Sequence, residues 1–222
     1  VNIPRLFRIS HAGTIGCLAT GFANGAFWSL APVFTAAISD DSSLAAWFMT
    51  SGVIGGALAQ WPLGFLSDWI GRRRVMAGAA LTGAVISATI VVMVDELSFL
   101  GINLLVAAWG AVAFPLYAIS VAHANDYAET SEYVMVSSGL LLMYGIGAIL
   151  GPFAASAVMT MASAVGLYLF IGTVQLLLVV YVIQRIFGRS SAPADQHIAF
   201  LDALTTAHTA SQVYENEIQF LA

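Results

Sequence analysis

The sequence predicts an all-α membrane protein with six transmembrane helices. Three observations carry that expectation. Of 222 residues, 59% are apolar and only 9% are charged, whereas a water-soluble domain carries about 25% charged residues. Mean hydropathy is +0.88, which excludes an ordinary cytosolic enzyme. The apolar residues also fall into six runs, each long enough to cross the hydrocarbon layer as a helix of about 20 residues. A membrane β-barrel is excluded, because its strands alternate over about 10 residues and these runs are apolar on every face. Backbone groups in lipid must be paired within the segment, which a helix achieves alone. The net charge of −5 and the absence of lysine exclude nucleic-acid binding as the main task.

Residues 1–11 form a basic lead-in carrying Arg5 and Arg8. No short apolar core followed by a small-residue cleavage site marks it as a secretory signal. The spans follow at about 12–38, 44–66, 75–94, 97–122, 133–159 and 162–186, making a bundle over 12–187. Asp41-Ser42-Ser43 precedes the second span and Ser131-Glu132 the fifth, both suited to accept first-turn N–H groups. Pro32, Pro62, Pro115 and Pro152 lie within spans, where neighbouring helices can satisfy the freed backbone groups. The lone Cys17 sits in an apolar run and reads as a buried thiol. Residues 188–222 read as a solvated tail with four acids, Pro193 and a short helix over 195–204.

Charge sorts by side. All seven arginines (Arg5, Arg8, Arg72, Arg73, Arg74, Arg185, Arg189) fall on one face of a six-fold weave, and Asp40, Asp41, Asp95 and Glu96 on the other. The positive-inside rule makes the arginine face, and therefore both termini, cytoplasmic. Asp126, Glu129 and Glu132 share that face, but acids contribute little to the rule.

The densest local pattern is Gly64-Phe65-Leu66-Ser67-Asp68-Trp69-Ile70-Gly71-Arg72-Arg73-Arg74, between the second and third spans. Gly64 permits close helix approach, Gly71 a left-handed turn, and the arginines can pair with carboxylates or lipid phosphates. At Gly64, Asp68, Gly71, Arg72 and Arg73 it resembles the loop signature of the major facilitator superfamily. Ser67 varies in that signature and carries no weight. Ala23-Asn24-Gly25-Ala26-Phe27-Trp28, Gln60-Trp61-Pro62-Leu63-Gly64, Phe114-Pro115-Leu116-Tyr117, His123-Ala124-Asn125-Asp126 and Ser137-Ser138-Gly139-Leu140-Leu141 further resemble the second half of YcaD-like permeases. The resemblance covers roughly residues 10–187, judged against the span length of about 20 residues, and leaves the tail unmatched.

The resemblance implies a secondary active transporter of a small solute, working by alternating access between two six-helix halves. This chain would be the C-terminal half, and the start at Val1 fits a place within a longer protein. Its partners would be the lipid bilayer, a small-molecule substrate and the N-terminal six-helix half. Its location would be the plasma membrane, that is a bacterial inner membrane. In that family the loop acid contacts helix ends of the opposite half, so the partner of Asp68 is expected there. The first and fourth helices of each half line the cavity, which makes Asn24, Trp28, Tyr117 and Ser120 candidate cavity residues, with Gln60 added as a polar group at depth. Gln175 is a further polar residue at depth.

His123, Asn125 and Asp126 end the fourth span on the arginine side, where a histidine and a carboxylate three residues apart share a helix face and suit gating or proton relay. Gly52-x-x-x-Gly56 and Gly147-x-x-x-Gly151 suit close helix contact. Gly147 to Pro152 also resembles a fifth-helix motif of facilitator antiporters, incomplete at Ala154 and Ala155. A membrane enzyme or an assembly factor is the alternative class. It lacks support: no Gly-x-Ser-x-Gly segment and no intramembrane acid is present. A six-helix water channel would need Asn-Pro-Ala repeats, also missing. His11, His123, His197 and His208 are too scattered for zinc, so neither metal nor cofactor is expected.

Overall fold

The structure is a computed structural model and describes residues 3–188. Every regular element among those residues is helical. The order is α1 (Ile3–Ile9), α2 (His11–Ile38), α3 (Ser43–Ile70), α4 (Arg72–Met93), α5 (Phe99–Ala113), α6 (Pro115–Asn125), a single 3₁₀ turn at Thr130–Glu132, α7 (Tyr133–Ala162) and α8 (Gly166–Gly188). The tail, including the expected helix over 195–204, lies outside the described residues.

Five helical segments are long and apolar enough to cross a membrane: His11–Ile38, Arg72–Met93, Phe99–Asn125, Tyr133–Ala162 and Gly166–Ile186. The second expected span, now α3, is not among them. It is long, but Ser, Gln60, Pro62, Asp68 and three tryptophans dilute its aliphatic content. The fourth span is broken where Pro115, which has no N–H to give, opens α6 immediately after Phe114. The other prolines stay inside continuous helices.

The start of the second span is capped from within the expected Asp41-Ser42-Ser43 run, by Asp41. Ser42 makes no capping bond. Instead Asp41 Oδ1 accepts the N–H of Ser43 at 2.8 Å, and that bond holds the Asp41 carboxyl below the ordinary carboxylate range. At the fifth span Glu132 occupies the cap position without a side-chain bond and pairs with Arg5 of α1 instead. The working serine caps are Ser10, accepting from Gly13 N–H at 3.1 Å, and Ser98, accepting from Gly101 N–H at 3.1 Å.

Three helix pairs make the bundle: α2 with α7, α3 with α5 and α4 with α8. Lipid is as apolar as leucine, so close packing and interhelical hydrogen bonds must hold such pairs. Gly147 and Gly151 of α7 face the backbone of Leu18 and Phe22 on α2, and a Cβ at either position would overlap it. That is close packing, as the spacing predicts. Polar pairs join the other two: Ser51 Oγ donates to Asn103 Oδ1 at 3.2 Å between α3 and α5, and Ser87 Oγ to Gln175 Oε1 at 3.4 Å between α4 and α8. Gln175 is thus an interhelix contact. At the end where α2 and α4 finish, Phe27, Phe34, Phe48, Trp109 and Tyr168 pack into one buried aromatic cluster. The opposite end, where α2 and α4 begin and α6 and α8 finish, gathers the charges.

Candidate functional site

The charged end is built around the α3–α4 turn. Gly71 ends α3 and caps α4 with φ 99° and ψ 131°. A Cβ there would meet nothing within 4 Å, so the backbone conformation, and not crowding, calls for glycine. The turn brings the last turn of α3 against the first of α4. Asp68 Oδ1 lies 2.8 Å from Arg72 Nη1. Asp68 therefore has a partner within its own chain, where the sequence pointed only to the opposite half.

Arg72 has the most buried charge among the described residues, with its side chain 1% exposed. Its Nε donates to Asp126 Oδ2 at 2.6 Å, across from the end of α6. Its Nη1 also reaches Ser67 Oγ at 3.3 Å, and the Ser67 hydroxyl donates to the Gly64 carbonyl at 2.7 Å. Ser67, set aside as uninformative in the sequence, is part of the site. The pairing has a further electrostatic reason. Arg72 opens α4 and Asp126 ends α6, so each charge stands at the unfavourable pole of its own helix. Together they cancel.

Arg73 turns the other way. It donates to Tyr127 Oη at 2.9 Å, to the carbonyl of Arg185 at 3.2 Å and, at 3.4 Å, to His123 Nε2. Its guanidinium also lies 5.7 Å from the Tyr127 ring centre. His123 and Asp126 therefore engage different arginines. Asn125 is buried beside them, and neither atom of its amide has a hydrogen-bond partner among the described residues. Tyr127 was missed in the sequence, although it follows His123 by one helical turn and so shares its face.

The candidate cavity residues scatter. Asn24 is 4% exposed while Trp28 is 42% exposed and stacks on Phe114. Asn24 lines a small cavity with Thr20, Ala113, Leu116 and Gln175, in which Asn24 Oδ1 and Gln175 Nε2 are an unmatched acceptor and donor among the described residues. Tyr117 packs on Tyr144 with ring centres 4.9 Å apart. The Ser120 hydroxyl donates to the Leu116 carbonyl at 2.7 Å and lies against Gly16 of α2. Gln60 is exposed on the outer face of α3 beside Trp61. No cluster of potential metal ligands occurs among the described residues.

A bundle of apolar helices with a buried arginine–carboxylate network at one end defines a multi-pass membrane protein. The chain belongs to the Major Facilitator Superfamily, whose family model matches residues 13–210. That match runs beyond α8 into the tail, which the sequence reading had left unmatched. The chain is 28% identical over 189 residues to the uncharacterized MFS-type transporter YcaD of Salmonella typhi, covering 84% of this chain and 47% of that protein. It is 30% identical over 148 residues to YcaD of Salmonella arizonae, covering 65% and 36%. The chain thus spans about half the length, or less, of these curated relatives. No solved structure matches it.

Proposed function

We propose that the chain is the C-terminal six-helix half of a secondary active transporter that moves a small solute by alternating access, with α3 counted as its second span. It would lie in a plasma membrane, a bacterial inner membrane, with both termini cytoplasmic, and do no covalent chemistry. The observation that carries this reading is Arg72 bridging Asp68 and Asp126. The bridge ties the ends of α3, α4 and α6 together, and Arg73 adds α8. A transporter half that rocks as a rigid body against its partner needs its helix ends coupled in this way.

The solute path would run past Asn24, Trp28 and Tyr117. Asn24 offers an unmatched carbonyl oxygen in a cavity, and Trp28 an exposed ring. Gln60 would face the second half, because it stands exposed on α3. Ser120 would serve helix contact and not binding. His123 and Asp126 would gate through their arginines.

The test is a solute uptake screen on the complete reading frame in proteoliposomes, with Asn24→Ala and Trp28→Ala in parallel and these 222 residues alone as a further arm. The complete protein should show solute-dependent flux that both substitutions reduce, and the 222 residues alone should show none. Flux from this chain alone would overturn the half-transporter assignment. Flux unaffected by either substitution would remove the proposed path.

A further inference from the structure

A small cavity lies inside the bundle, between α2, α8 and the broken fourth span made of α5 and α6. Thr20 and Asn24 of α2, Ala113 of α5, Leu116 of α6, and Gln175 and Leu178 of α8 line it, and its volume is ≈ 10 Å³. That is about the room one water molecule needs, and too little for an organic solute. No ionisable side chain is among its lining residues.

Two amides at its wall are unmatched. Asn24 and Gln175 are only 4% and 2% exposed, and neither Asn24 Oδ1 nor Gln175 Nε2 has a hydrogen-bond partner among the described residues. The Gln175 amide is oriented from α4. Ser87 Oγ donates to its Oε1 at 3.4 Å, which leaves Nε2 as the donor still to be satisfied. Gly83 makes room for that amide, since a Cβ there would overlap it. Thr20 Oγ1 donates to the Gly16 carbonyl at 2.7 Å and keeps lone pairs for a further donor.

An acceptor, a donor and a hydroxyl lone pair around a water-sized space complement one water, which makes about three hydrogen bonds when buried. Its protons would go to Asn24 Oδ1 and Thr20 Oγ1, and its oxygen would accept from Gln175 Nε2. Unmet amide atoms are costly away from solvent, whereas an ordered bridging water costs little. A metal cation fits less well, because Gln175 presents an N–H and no carboxylate lines the space.

We propose that this cavity binds one structural water, which bridges α2 to α8 through Asn24 and Gln175. The site does not rest on the transport reading, because its occupancy is measured without flux. A solute reaching Asn24 would have to displace this water.

The experiment is X-ray hydroxyl-radical labelling of the complete protein in detergent, read by mass spectrometry. Radicals form from bound water as well as from bulk solvent, so a buried water marks side chains that solvent does not reach. Leu116 and Leu178, each 2% exposed, should be labelled in the wild-type protein. Gln175→Leu removes the donor and fills the space, and this labelling should be lost. Thr20→Val removes one hydroxyl at nearly constant volume and should lower it a few-fold, which provides a reading if Gln175→Leu fails to fold. Thr89→Val, at an exposed hydroxyl that donates to the Val85 carbonyl, should leave it unchanged. Leu58, 73% exposed, reports bulk solvent and should stay labelled in every variant. The proposal is overturned if Leu116 and Leu178 are unlabelled in the wild-type protein, or if Gln175→Leu and Thr20→Val label them as the wild type does. It is also overturned if their labelling disappears when sodium is replaced by choline, which would make the occupant a cation.

Discussion

Arg72 has two acidic partners, and burial says they are not equivalent. The Arg72 and Asp126 side chains are 1% and 2% exposed, while that of Asp68 is 33% exposed. Removing one member of a buried pair leaves an uncompensated charge and costs about 3–5 kcal/mol. Breaking a partly exposed pair costs about 0.2–1 kcal/mol. Asp126→Asn should therefore destabilise the protein several times more than Asp68→Asn. With a shift of about 2–4 °C per kcal/mol at this chain length, melting should fall by about 10 °C for Asp126→Asn and by a few degrees at most for Asp68→Asn. The assay is thermal unfolding in a mild detergent, run as a double-mutant cycle with Arg72→Gln. The Arg72–Asp126 coupling should reach about 2 kcal/mol, because each single change already abolishes the pair. A further variant, Arg72→Met with Asp126→Leu, should recover much of the loss, since an apolar pair of similar volume carries no desolvation penalty. Equal losses from the two acids, or a cycle with no coupling, would refute the reasoning.

Three other outcomes are expected from the same measurement. Gly71→Ala should cost about 1–3 kcal/mol through backbone conformation alone, because a Cβ there meets nothing within 4 Å; an unchanged melting point would show that the turn accepts a side chain. Gly147→Val should lower stability by about 2 kcal/mol or more by forcing α2 and α7 apart, while Gly145→Val, where a Cβ meets nothing within 4 Å, should not; equal effects would deny the close contact. Asn125→Leu should be neutral or stabilising by up to about 1 kcal/mol, because the amide is buried without a partner among the described residues and an unmet polar group is costly; a clear loss would reveal a partner.

The helices were legible because charge is so scarce that every acid and base marks a helix end or a connection. The α3–α4 turn was legible as well, since glycine, acid, glycine and arginine fall close together. What joins the turn to the rest of the molecule was not. Arg72 and Asp126 are 54 residues apart, and no local period links them. Ser67 resisted reading because its role depends on an arginine beyond the helix end. Asn24 and Trp28 share a face by spacing, yet neighbouring helices bury one and leave the other half exposed. Spacing fixes direction around one helix, and burial depends on what packs there.

The arginine triplet shows how a topological signal and a structural one can share adjacent positions. The orientation rule counts arginines that remain at the headgroup surface. Arg74 does so: it is exposed and donates to the carbonyl of Ile70. Arg73 is half-buried and donates to Tyr127, His123 and the Arg185 carbonyl. Arg72 is removed from solvent and neutralised by Asp126, so it adds almost nothing to the field that lipid headgroups sense. The apparent bias of the α3–α4 connection is therefore smaller than its count of arginines suggests. Asp126, which the orientation rule discounts as an acid, is absorbed by the same pairing. Substituting Arg72 should then disturb folding well before it disturbs orientation, and substituting Arg74 should do the reverse.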